Sequence, residues 1–163
     1  MKKLLFLLIA LISISFISCS KDDNVTDPTT KVDPWVGTWL SADANVAPIL
    51  VALFSYDSVR VTMNADKTLK LDSHIKDGAW SSLNGVYTVT KSTTGDIHSI
   101  SINYTAFEQE GIFQVTSGTP DKFKLEAVQT VPDIGAVPRT PATGFGSDAA
   151  LGTFNIQNYV RVK

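Results

Sequence analysis

From residue 35 onward the chain alternates apolar and polar side chains with a period of two, and that period restricts it to β-structure. Ser58-Val59-Arg60-Val61-Thr62-Met63, Thr68-Leu69-Lys70-Leu71-Asp72 and Gly85-Val86-Tyr87-Thr88-Val89-Thr90 alternate cleanly. Four further runs do the same at 100–104, 112–115, 123–128 and 154–162. Alternation of this kind sets one face of each strand on a core and the other on water. Turn residues separate the runs: Asn64-Ala65-Asp66-Lys67, then Thr94-Gly95-Asp96, then Ser117-Gly118-Thr119-Pro120-Asp121. With the segment around Trp39 the count is about eight strands. Short loops between them predict an all-β, eight-stranded, up-and-down antiparallel barrel, whose closure removes exposed sheet edges.

Two segments break the period. Residues 46–54 are continuously apolar. With Asn45 as a cap and Pro48 in the first turn they predict a short helix after the first strand, lying against one end of the barrel. A buried strand has the same pattern in so short a run. Residues 131–152 are rich in Pro and Gly and separate the last two strands. A loop this long either folds across a barrel opening or is a mobile insertion.

The first residues are of another kind. Lys2 and Lys3 precede an apolar stretch that reaches Ile17, the layout of a secretory signal. The stretch is shorter than the ~20 apolar residues that span a bilayer as a helix. The single cysteine, Cys19, ends it, and one cysteine excludes an internal disulfide framework or a multi-cysteine zinc site. The expected division is a signal peptide over 1–18, a flexible tether over 19–33 and one barrel domain over 34–163. Removing Lys2 and Lys3 with the signal takes the formal charge from −2 to −4, which leaves no basic footprint for nucleic acid.

Phe16-Ile17-Ser18-Cys19 resembles a bacterial lipobox, although Phe16 stands where that pattern favours Leu and Ser18 where it favours Gly or Ala. The resemblance implies acylation of Cys19 and attachment to a membrane through lipid, without a spanning helix. Ser20-Lys21-Asp22-Asp23-Asn24 resembles the acidic export signal of Bacteroidota lipoproteins, which implies the outer membrane and its cell-surface face. A solvated tether on a periplasm-facing lipoprotein is the alternative.

Trp35-Val36-Gly37-Thr38-Trp39 resembles the Gly-x-Trp signature of lipocalins and other calycins. The resemblance implies that Gly37 and Trp39 close one end of the barrel and that Arg161, in the last strand, stacks over Trp39. Residues 61–69, and Trp80 followed by 85–89, resemble the next hairpins of bacterial lipocalin-like domains.

Catalytic material is sparse. There is no phosphate loop, no nucleophile elbow and no metalloprotease spacing. His74 and His98 read as surface histidines, and Glu108 and Glu110 read as the solvated face of a turn. No enzyme activity, cofactor or metal is expected. Two functions remain. One is binding of a small apolar ligand inside the barrel, with Val61, Leu69, Leu71, Tyr87, Ile100, Ile102, Phe113 and Leu125 as inward candidates. The other is an accessory or interaction subunit of an envelope complex, with a barrel filled by its own side chains.

Overall fold

Eight antiparallel strands pair in sequence order and close on themselves, so each strand has its chain neighbours on either side. The computed structural model describes residues 31–163; the expected signal peptide, Cys19 and most of the expected tether lie outside the described residues. The strands are β1 (Gly37–Ala42), β2 (Tyr56–Met63), β3 (Thr68–Ile75), β4 (Trp80–Thr90), β5 (Ile97–Asn103), β6 (Glu108–Thr116), β7 (Lys122–Val131) and β8 (Ile156–Arg161). The closing pair is β1 with β8, where Trp39 stands opposite Arg161.

The period-two runs become strands because each puts its apolar set inward. In β2, Val59, Val61 and Met63 are buried while Arg60 and Thr62 between them are not. Register carries the pattern across the wall: Val61 faces Trp39 on one side and Leu71 on the other. The 64–67 turn is held by its own side chains. Asp66 accepts hydrogen bonds from the Thr68 backbone N–H (3.0 Å) and hydroxyl (2.7 Å), and Lys67 takes a left-handed φ of 70°.

Helix α1 (Pro48–Phe54) follows β1 through a 3-10 turn, Asp43–Asn45. Pro48 occupies its first position, but Asn45 does not cap it: Ala47 precedes the helix without a side-chain cap. The Ala47 N–H is taken instead by Gln157 Oε1 at 2.7 Å, which ties the helix entrance to β8. Val46 and Ala47, at the start of the apolar run, are buried, but none of the seven helix residues is fully so, and the helix is neither a core helix nor a buried strand.

The long connection between β7 and β8 is a strap on the outer wall, and it does not close a barrel mouth as one expectation had it. Gly146 donates its N–H to Glu126 Oε2 (2.8 Å), Asn155 Nδ2 donates to the Ala127 carbonyl (2.9 Å), and Lys124 lies 5.1 Å from the Phe145 ring centre. Ile112, turned outward by the alternation, is fully buried on this side. Within the strap Asp148 accepts from the Ala150 and Leu151 N–H groups and pairs with Arg139. Glu108 and Glu110, expected in a turn, instead begin β6 opposite the end of β7.

Candidate functional site

The barrel has two unlike ends. One carries the turns at 64–67, 91–96 and 117–121 together with Trp35 and the C-terminus; the other carries α1 and the turns at 76–79 and 104–107.

The first end is sealed. The Arg161 guanidinium lies 4.1 Å from the Trp39 ring centre. It also donates to the Val36 carbonyl (2.9 Å) and the Pro34 carbonyl, and pairs with Asp121 at 2.9 Å. Trp39 in turn donates Nε1–H to the Trp35 carbonyl at 2.9 Å. Gly37 is required here: a Cβ would run into Arg161 Nη1, and its φ of 143° disfavours any side chain. Trp35 plugs the opening, with its ring edge-on to Phe113 at 5.4 Å and to His98 at 5.7 Å. His98, expected on the surface, is therefore part of the plug, and its Nδ1 accepts from the Ser92 N–H. Asp33, counted with the tether, is tied to this end by Lys91 (2.8 Å) and Lys67 (3.5 Å).

The eight inward candidates divide along the barrel axis. Val61, Leu69, Tyr87, Ile100, Ile102 and Phe113 belong to one buried cluster with Trp39, Met63 and Phe123. Each of those six is at most 4% exposed. A cavity large enough for water would leave its lining accessible, so this half of the barrel is packed solid. Leu71 and Leu125 lie nearer the α1 end and are only partly buried. Inward-facing Leu83 is 41% exposed, so the barrel is a shallow cup at its α1 end. Ser41 Oγ and Gln157 Nε2 are buried without a hydrogen-bond partner among the described residues. Burial raises the Tyr104 hydroxyl pKa, and burial with the nearby Tyr104 raises that of Tyr159.

The rim around this cup is apolar and exposed. Val51, Leu53 and Phe54 project from α1, Leu53 being 68% exposed, and Phe54 stacks on Tyr56 with ring centres 5.4 Å apart. Lys76 donates its N–H to the Ser55 carbonyl, which brings the turn after Ile75 beside the helix end.

Two features of the outer wall have no counterpart in the sequence reading. The first is a charged cluster over β2–β4. Asp72 accepts from Arg60 (2.9 Å), Lys70 (2.8 Å) and Ser82 (2.5 Å), and its side chain is only 4% exposed. Burial pushes its carboxyl pKa up, but Lys70, Ser82 and Arg60 outweigh that and hold it down at about 2. Arg60 lies 5.0 Å from the Trp80 ring centre, and His74, paired with Asp57 at 2.6 Å, lies 5.1 Å from it on the same face. The second is a pair of open hollows. One of about 280 Å³ runs between the strap at 138–140 and the hydroxyls of Thr88, Thr90, Ser99 and Ser101; the other, of about 300 Å³, lies along β6–β8. Neither hollow is a closed chamber inside the barrel.

Among the described residues no three His, Cys, Asp or Glu side chains converge as a metal site, and no helix is long and apolar enough to cross a membrane. Compared with known proteins, the chain matches no protein family, no curated protein and no solved structure.

Proposed function

We propose that this chain is a lipid-anchored envelope protein whose barrel is a rigid scaffold, presenting its α1 end to a protein partner. The observation that carries this reading is the contrast between the two ends. Six inward side chains that would line a ligand chamber are packed shut, while Val51, Leu53 and Phe54 of an entirely apolar helix stand in solvent. Contiguous exposed apolar surface of this kind marks interaction sites. Anchorage rests on the lipobox resemblance at Cys19. An outer-membrane, surface-facing location rests on Ser20-Lys21-Asp22-Asp23-Asn24, with a periplasm-facing lipoprotein as the alternative. The partner belongs to the envelope.

A photo-crosslinking residue at Leu53 in living cells tests the reading. One defined protein adduct is the expected result. A ladder of unrelated adducts, or none, removes it.

A second reading has its own support. Leu71, Leu83 and Leu125 in the cup, with the Ser41 Oγ and Gln157 Nε2 atoms beside it, suit a small, largely apolar ligand with one polar group. Native mass spectrometry of the protein from its own cells tests this reading: a retained ligand mass favours it, and a bare chain mass counts against it.

A further inference from the structure

The barrel closes, yet among the described residues one stretch of its wall is paired on one side only. Strand β4 pairs with β3 from Trp80 to Val86, but with β5 only from Val86 to Thr90. Strand β5 ends at Asn103, where Tyr104 turns away and donates its N–H to Phe107. Residues 80–85 therefore form an edge inside a closed topology.

The direction of the free groups follows from one bond. Tyr87 donates its N–H to the Lys67 carbonyl at 2.9 Å, toward β3. Strand geometry turns alternate residues to opposite edges, so Ser81, Leu83 and Gly85 also bond toward β3. Ser82 and Asn84 point their N–H and C=O groups to the open side.

This edge lacks the protection that exposed edges carry. The segment Trp80-Ser81-Ser82-Leu83-Asn84-Gly85-Val86 has no charged residue and no proline. The corresponding edge of β7 is treated differently: above the β8 pairing, Asn155 covers the Ala127 carbonyl and Gln129 reaches the Pro132 carbonyl. The β4 edge is also held from behind. Ser82 is bonded to Asp72, and Arg60 and His74 support Trp80. It presents apolar side chains on both faces, Trp80 and Val86 outside and Leu83 inside.

We infer that the β4 edge is a docking site for an extended, uncharged segment of a partner protein, added as an antiparallel strand in line with β5. The main-chain groups of Ser82 and Asn84 provide the ladder. Trp80 and Leu83 select neutral, apolar side chains on the two faces of the incoming strand. A second copy of this chain fits less well. A two-fold axis through Ser82 sets Trp80 against Asn84 and Leu83 against Ser81, with no apolar match. The register that would set Leu83 on Leu83 places Trp80 of one copy opposite Val86 of the other, where Asn103 already pairs. This inference deepens the interaction reading by naming the chemistry of the partner.

The test uses the full chain in detergent and a labelled peptide with the neutral, alternating β5 sequence Ser-Ile-Ser-Ile-Asn. The peptide should bind saturably and slow hydrogen exchange at the Ser82 and Asn84 amides, which exchange freely without it. Asn84→Pro removes an outward N–H without touching the β3 ladder, and Asn84→Lys adds a guarding charge. Each should weaken binding at least tenfold with an unchanged melting temperature. Several results would overturn the inference: no binding at millimolar peptide, binding by the variants as tight as by the parent, or protection of these amides without peptide. In that last case, a sedimenting dimer would assign the edge to a second copy and a monomer to the chain's own N-terminal segment. Crosslinking from Leu53 reports on the interaction reading independently, so the two can fail separately.

Discussion

Arg161 joins both chain ends of the barrel at one point: it lies 4.1 Å from the Trp39 ring centre and bonds to carbonyls of Val36 and Pro34. The last strand is thereby fastened to the residues that lead into the first. Three roles meet in one planar fork, which a lysine cannot reproduce. Arg161→Lys is expected to cost about 1–2 kcal/mol and Arg161→Ala about 2–4 kcal/mol, from lost charged hydrogen bonds and cation–π contact. Urea unfolding, with the slope held constant, measures both.

A backbone crossing gives a second expectation. At Gly111 a Cβ would meet the Glu126 carbonyl and stand 2.6 Å from Ala127 Cα, so β6 and β7 would have to part. Gly111→Ala should destabilise by about 1–3 kcal/mol through overpacking. Gly95→Ala, with open space around its Cβ, is the matched control and should unfold with the parent.

Acid should release the Asp72 cluster. Its carboxyl is held at about 2 in the folded chain, below the value near 3.9 of an unfolded aspartate. A depressed folded pKa means that the stabilisation is complete above pH 4 and is lost as pH falls toward 2. Asp33, Asp57 and Asp121 are lowered as well, by Lys91, by His74, and by the Gly118 N–H with Arg161. Stability followed from pH 6 to pH 2 should therefore drop below pH 4. Asp72→Asn should shrink that drop and lower stability at pH 7 by about 1–3 kcal/mol, because Arg60 and Lys70 lose their shared charge.

The anchor has a direct check. Cys19→Ala should give a chain that is unprocessed or released from the membrane, with the same melting temperature as the barrel of the parent. Fractionation with metabolic lipid labelling reads this, and a variant still cleaved and membrane-bound would show that Cys19 carries no lipid.

Much of the wall was legible because burial in a strand has a simple period. Val59, Val61 and Met63 alternate in the sequence and alternate in burial, and the Asn64–Lys67 turn names itself by its residues. Asp72 was not legible as a buried group. Alternation puts it on the outer face, and its burial comes from Arg60 and Ser82, which lie on the neighbouring strands. The α1 run was ambiguous for another reason. Continuous apolarity ordinarily means burial, whereas here Val46 and Ala47 are buried and residues 51–54 are exposed.

What the sequence by itself determined is local: strand number, turn positions and which side chains face inward follow from period and turn chemistry. Only the tertiary structure decided whether inward meant a chamber or a core, because that depends on Trp35 and Trp39 meeting Phe113 and Phe123 from three separate segments. The same holds for the open edge of β4. A strand has the same composition whether one or both sides are paired, and it is the early end of β5 at Asn103 that leaves Ser82 and Asn84 without a neighbouring strand among the described residues.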